Sequence, residues 1–142
     1  MNITIIGTGY VGLVAGASFA KIGHTVTSLD TNEERINDLN NLQLPIFEPG
    51  LKKLVTQSFK KNKLKFTTSY KHGCKNKIIF ICVDTPSKED GQADLSNLKK
   101  VLNSLAPLIR PNTIIITKST VPVGTNDFIE KFFERKIPDN SL

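Results

Sequence analysis

The feature that most constrains this chain is a glycine spacing set between two apolar runs. Residues 2–6, NITII, end at Gly7. GTGYVG occupies residues 7–12, an apolar stretch then runs to Ile22 and stops at Gly23, and HTVTSLD at residues 24–30 alternates into an acid. A strand, a glycine turn, a helix over residues 11–22 that is apolar nearly all round, and a second strand make a βαβ unit. In that setting each glycine has its own task. Gly7 permits a tight turn, Gly9 lets backbone approach a pyrophosphate with no Cβ in the way, and Gly12 allows the helix to pack closely on the sheet. The helix N-terminus then offers unpaired N–H groups and a partial positive charge to phosphates. GxGxxG alone is a weak signal, and the bland alternative is a ligand-free turn with Asp30 as a helix cap.

Asp30, at the tip of the second strand, is placed to accept hydrogen bonds from adenosine ribose hydroxyls, and its charge repels a 2′-phosphate. NAD is therefore expected rather than NADP. Arg35, one turn into the next helix, is within reach of the ribose or the adenine edge, which leaves that preference open to test.

The rest of the chain alternates strand and helix signals. TNEERINDLNN supplies a cap at Thr31 or Asn32 and apolar Ile36 and Leu39. LQLPIFEPG breaks the pattern. The lysine-rich LKKLVTQSFKKNKLKF then brings Leu51, Leu54, Val55 and Phe59 to one helical face, with Pro49 in the first turn. LKFTT reads as a strand, and NKIIFICVDTP has a continuous apolar run from Ile78 to Val83, as a strand buried on both faces has. SKEDGQADLS is a loop, DLSNLKKVLNSLAPLI a helix, and residues 113–117 a strand followed by hydroxyl residues and Pro122. GTNDFIEKFFERK closes the series as a helix with Phe128, Ile129, Phe132 and Phe133. This order predicts an α/β, Rossmann-type, doubly wound and mainly parallel sheet in a single domain over residues 1–142. Ligands of such sheets bind beyond the carboxyl ends of the strands, where this chain gathers residues 7–12, Asp30, residues 83–86 and residues 118–121.

Composition narrows the function classes. No apolar run approaches the ~20 residues of a membrane span, and the N-terminus lacks the pattern of a signal peptide, so a cytoplasmic protein without a membrane partner is expected. Cys74 and Cys82 are too few for a disulfide framework, and with His24 and His72 they show no metal-ligand spacing, so reduced thiols and no metal are expected. Cys82 lies in an apolar strand and Cys74 in KHGCKNK lacks a nucleophile motif; neither is read as catalytic. The net charge of +6 suits an anionic partner or simple solubility. Much of it sits on Lys52, Lys53, Lys60, Lys61, Lys63 and Lys65, read as a solvated helix face, the alternative being a basic patch. The interleaved aromatics of single-strand binding are lacking, and no nucleic-acid partner is expected.

GTGYVGL, LPIFEPGL, FICVDTP, EDGQADLS and KSTVPVGT occur in that order, and through them residues 1 to about 127 resemble the nucleotide-sugar dehydrogenase family that includes the UDP-glucose and GDP-mannose dehydrogenases. LPIFEPGL and EDGQADLS look closest to the UDP-glucose branch. The resemblance implies NAD-dependent, two-step oxidation of a sugar C6 alcohol to a carboxylate through an aldehyde-level intermediate and a thioester. It also implies that Gly7, Gly9, Tyr10, Val11 and Gly12 line the pyrophosphate, Asp30 and Arg35 the adenosine ribose, and Val83 to Thr85 the middle of the cofactor. Thr120 would stand near the nicotinamide and help order a catalytic water. Plainer readings stand beside these: Thr85 and Thr120 capping strand ends or turns, Tyr10 packing its ring beside the cofactor, and Lys118 as a solvated strand-end residue. Glu48, in EPGL, is read as a carboxylate at the terminus of the helix starting near Pro49, the alternative being an active-site contact.

The family pattern continues with a proline-glutamate-phenylalanine motif, a helix bearing a lysine and an asparagine, and a glycine-rich segment with the cysteine nucleophile. KIPDNSL, at residues 136–142, stops short of the first of these. The chain is thus expected to be the N-terminal, NAD-binding part of a longer dehydrogenase that forms a homodimer. Alone it should bind NAD and leave sugar unoxidised. Rival readings are a free-standing NAD-binding regulatory module, a dehydrogenase of GDP-mannose or UDP-N-acetylmannosamine, and a dehydrogenase of the 6-phosphogluconate or 3-hydroxyacyl type.

Overall fold

Apolar runs form the strands and amphipathic segments the helices, in the order β1 Asn2–Ile6, α1 Tyr10–Lys21, β2 Thr25–Leu29, α2 Glu33–Asn40, α3 Leu51–Lys60, β3 Leu64–Thr67, α4 Tyr70–Gly73, β4 Ile78–Ile81, α5 Ser96–Leu105, β5 Ile114–Thr117 and α6 Thr125–Lys136. The computed structural model describes residues 1–136. Most of KIPDNSL lies outside them. All four pairings are parallel and the strand order is β3-β2-β1-β4-β5. From β1 the chain builds outward through β2 to β3, then returns to add β4 and β5 on the other side. The doubly wound Rossmann-type sheet is therefore present, and its topological switch point lies between β1 and β4, where a crevice opens at the carboxyl edge.

Alternation along β1 divides the core. Ile3 and Ile5 join the layer beneath α1, α2 and α3 with Leu13, Val26, Val55 and Leu64, whereas Ile6 joins Ile79, Ile81, Leu98 and Leu102 beneath α5 and α6. Burial of these side chains is the main stabilising term, at about 25 cal/mol per Å² of apolar surface removed from water. α1 lies close to the sheet through Gly12, Gly16, Ala17 and Ala20. The helix, apolar nearly all round, is not buried all round: Val11 is 43% exposed, and Ile22, which caps the helix, 70%.

Several boundaries differ from expectation for identifiable reasons. α3 begins at Leu51 with Gly50 as its N-cap at φ +82°, so Pro49 stands before the helix and not in its first turn. A left-handed entry favours glycine, and this turn uses one. β4 ends at Ile81, although the Cys82 amide still donates to the Ile6 carbonyl at 2.7 Å. Its faces are unequal, with Ile79 and Ile81 buried and Ile78 and Phe80 half-buried. Asn32 caps α2, its side chain accepting from the Arg35 amide at 2.9 Å. The four-residue α4, capped by Ser69, gives no periodic signal. The lysines of α3 point to solvent while Leu51 and Val55 are buried. No helix among the described residues is long and apolar enough to cross a membrane.

Candidate functional site

Between β1 and α1 the chain must reverse within a few residues. Gly7 does so at φ +97°, and a Cβ on it would lie 2.5 Å from the Cys82 carbonyl oxygen. A Cβ on Gly12 would lie 1.9 Å from the Gly7 carbonyl oxygen. Both positions are closed to any larger residue by backbone, which cannot swing aside. Gly9 differs: its φ is −69°, open to any residue, and the nearest atom to an added Cβ is Asp84 Oδ1 at 3.9 Å. Among the described residues nothing demands glycine there, so its missing side chain leaves room above the helix start. Gly9 is also the N-cap of α1, and the helix has no side-chain cap and no acid in its first turn. The first amides of α1 thus have no side-chain partner, an arrangement complementary to an anion.

Asp30, just past β2, is held by four donors. Oδ2 accepts from the Thr8 amide at 2.8 Å, the Thr8 hydroxyl at 2.9 Å and Arg35 Nη1 at 3.2 Å, and Oδ1 accepts from the Asn32 amide at 3.0 Å. Burial alone raises the Asp30 carboxyl, but the Thr8 and Asn32 hydrogen bonds and the Arg35 charge outweigh it and hold the group below the usual aspartate value. Asp30 is therefore ionised at neutral pH, and Oδ1, with one protein donor, keeps acceptor capacity for a further partner. Thr8, between the first two glycines of the motif, is not marked by the glycine spacing; only its hydroxyl type hints at a role.

A cleft of about 170 Å³ joins these features, and Gly7, Gly9, Asp30, Arg35 and Val83 line it. Its far wall comes from residues that sequence reasoning missed: Tyr70 on α4, and Asn97 and Lys100 on α5. Burial pushes the Tyr70 phenol up to about 12. Cys82 also lines the cleft, and burial lifts both its thiol and that of Cys74 to about 11. Both thiols therefore stay protonated at neutral pH.

The remaining predicted residues lie around this cleft. Gly12 is buried behind the turn, and Tyr10 and Val11 are exposed on the first turn of α1. The Tyr10 hydroxyl donates to Glu48 Oε2 at 2.5 Å, and this bond with the carboxylate's charge raises the Tyr10 phenol. The Glu48 side chain therefore reaches across to α1 and does not cap α3; only its carbonyl serves α3, accepting from the Leu51 amide at 3.0 Å. Thr85 and Thr120 come together, the Thr85 hydroxyl donating to the Thr120 carbonyl at 2.5 Å. Lys118 is exposed, its amide paired with the Ile81 carbonyl at 2.8 Å.

The family model described as UDP-glucose/GDP-mannose dehydrogenase family, NAD binding domain, matches residues 1–141. UDP-glucose 6-dehydrogenase YwqF of Bacillus subtilis is 48% identical over 130 residues, which are 91% of this chain and 30% of that protein. The solved structure of UDP-D-ManNAc dehydrogenase from Pyrococcus horikoshii matches with a TM-score of 0.93 and 29% identity, over 97% of this chain and 33% of that one. GDP-mannose dehydrogenase from Pseudomonas aeruginosa matches with a TM-score of 0.90 and 33% identity, over 98% of this chain and 33% of that one. The chain spans about a third of the length of these proteins.

Proposed function

The chain belongs to the UDP-glucose/GDP-mannose dehydrogenase family as an NAD-binding domain, and from that premise we propose that it is the coenzyme-holding part of a cytoplasmic, homodimeric enzyme that oxidises UDP-glucose to UDP-glucuronate in two NAD-dependent steps by way of a cysteine thioester. UDP-glucose is preferred because the curated relatives at 48% and 44% identity are UDP-glucose 6-dehydrogenases. The observation that carries the reading is the uncapped start of α1 beneath Gly9, set beside an ionised Asp30 with acceptor capacity to spare.

In this reading the backbone of Gly7, Gly9, Tyr10, Val11 and Gly12 holds the diphosphate at the helix start. Asp30 binds the adenosine ribose through Oδ1, and Arg35, with its charge paired to Asp30, closes that side of the cleft. Val83 and Thr85 flank the middle of the coenzyme, and Thr120, at the exit of β5, stands near the nicotinamide and orders a water. NAD, when bound, supplies the hydride acceptor. The described residues offer no assigned nucleophile, so the chain alone binds NAD and leaves sugar unoxidised.

Calorimetric titration with NAD and NADP tests this. Wild type should take NAD in clear preference to NADP, and Asp30→Ala should lose that preference; equal affinity of the wild type for both coenzymes would refute the role given to Asp30. Assay of a longer protein carrying this domain on UDP-glucose, GDP-mannose and UDP-N-acetylmannosamine decides the sugar.

A further inference from the structure

Strand order fixes the direction in which a dinucleotide must lie. Along the carboxyl edge the tips run from Asp30 after β2, to Gly7 and Gly9 after β1, to residues 83–85 after β4, to residues 118–120 after β5, each about 4.8 Å from the next. With the adenosine ribose at β2 and the diphosphate at β1, the second nucleotide half has only one way to go, over β4 and β5.

There the two exits are sewn together by side chains. Ser119 Oγ donates to the Val83 carbonyl at 2.6 Å, and the Thr85 hydroxyl returns a bond to the Thr120 carbonyl at 2.5 Å. Asn97 Nδ2, from α5, donates to the Asp84 carbonyl between them at 3.2 Å. Residues 83, 84 and 85 are thus each tied, on alternating sides, in a stretch outside the regular strand. The Thr85 hydroxyl, engaged with Thr120, is spent on the protein. Such exchanged bonds hold two loops in one relative position, which neither loop would keep alone.

We propose that Ser119 and Thr85 are positioning residues that stitch the β4 and β5 exits into one wall for the nicotinamide half of NAD and fix Thr120 against it. This rests on the reading that the cleft holds NAD. The adenosine half binds at β2 and β1, in a cleft that neither Ser119 nor Thr85 lines.

The test is calorimetric titration of the chain with NAD and with ADP, which carries the adenosine half and diphosphate only. Ser119→Ala and Thr85→Val should each weaken NAD about fivefold and leave ADP within about twofold, the scale of one hydrogen bond. Thr85→Ser, which keeps the donor, should restore the wild-type ratio. A NAD-to-ADP ratio unchanged in both deletion variants, or equal weakening of the two ligands, overturns the stitch. A wild-type chain that binds neither nucleotide overturns the NAD reading itself. A measurement on the wild type needs no variant to fold: amide hydrogen exchange at residues 83–85 and 119–121 should slow with NAD and not with ADP, and equal slowing by both overturns the proposal.

Discussion

The turns that leave β1 and β4 stand side by side at the carboxyl edge of the sheet and are held in opposite ways. The first is set mainly by backbone: an added Cβ on Gly7 or Gly12 would meet a carbonyl oxygen at 2.5 or 1.9 Å, its side-chain tie is the Thr8 hydroxyl to Asp30, and the start of α1 has no side-chain cap. The second is tied by side chains from distant positions, Ser119, Asn97 and the Thr85–Thr120 pair. A turn stiffened by glycine contacts keeps its polar groups free for a ligand. One stiffened by side-chain bonds uses its carbonyls up and serves as a wall.

This contrast breaks most readily at Gly12. Gly12→Ala places a methyl 1.9 Å from the Gly7 carbonyl oxygen, and a loss of about 3 kcal/mol in urea denaturation is expected. A variant as stable as wild type would show that the turn is not backbone-limited. Gly9→Ala separates fold from binding, since its methyl meets no atom within 3.4 Å. Stability should stay within about 0.5 kcal/mol while NAD affinity falls about tenfold or more, the scale of a lost charge-assisted bond.

Smaller effects sharpen the contrast further. Because the Asp30 carboxyl sits below its ordinary value of 3.8 in the folded chain, its stabilising contribution is complete above that value and is lost as pH falls through the lower, folded one. Asp30→Asn should remove that part of the acid dependence, about 1 kcal/mol in denaturation at acid pH against neutral pH. The hydroxyl–carbonyl bonds of the β4 turn do not titrate there, so Ser119→Ala should leave the acid limb unchanged. Glu48→Gln should move stability by less than about 0.5 kcal/mol, the Tyr10 pair being exposed. It should lower the Tyr10 phenol toward 10.0 in ultraviolet titration, where Tyr70 at about 12 remains distinct.

The sheet, its direction and the glycine turn were legible because local chemistry dictates them. Residues 2–6 and 78–81 are apolar runs too short to be helices, and the Asn32 cap is a neighbour effect. What escaped reading is what the fold brings together from afar. Tyr70 enters the cleft on a helix of four residues, too short for periodicity. Asn97 and Lys100 look like ordinary exposed helix residues until α5 is set against the β4 exit. Sequence proximity points Glu48 to the helix beside it, whereas its side-chain partner is Tyr10 across the loop. Pro49 misled about where α3 begins because Gly50 supplies the left-handed entry.

The close approach of Gly7 to the Cys82 carbonyl also sets an order in time. The floor under the glycine turn is the end of β4, which pairs with β1 only after the whole β2 to β3 segment between them has been spanned. Closing that long loop is slow compared with forming the α1 turn. A peptide of residues 1–35 contains every glycine of the motif and the aspartate, yet has no ground to stand on. The glycine turn gains its floor only once β4, and Cys82 at its end, has come to lie beside β1.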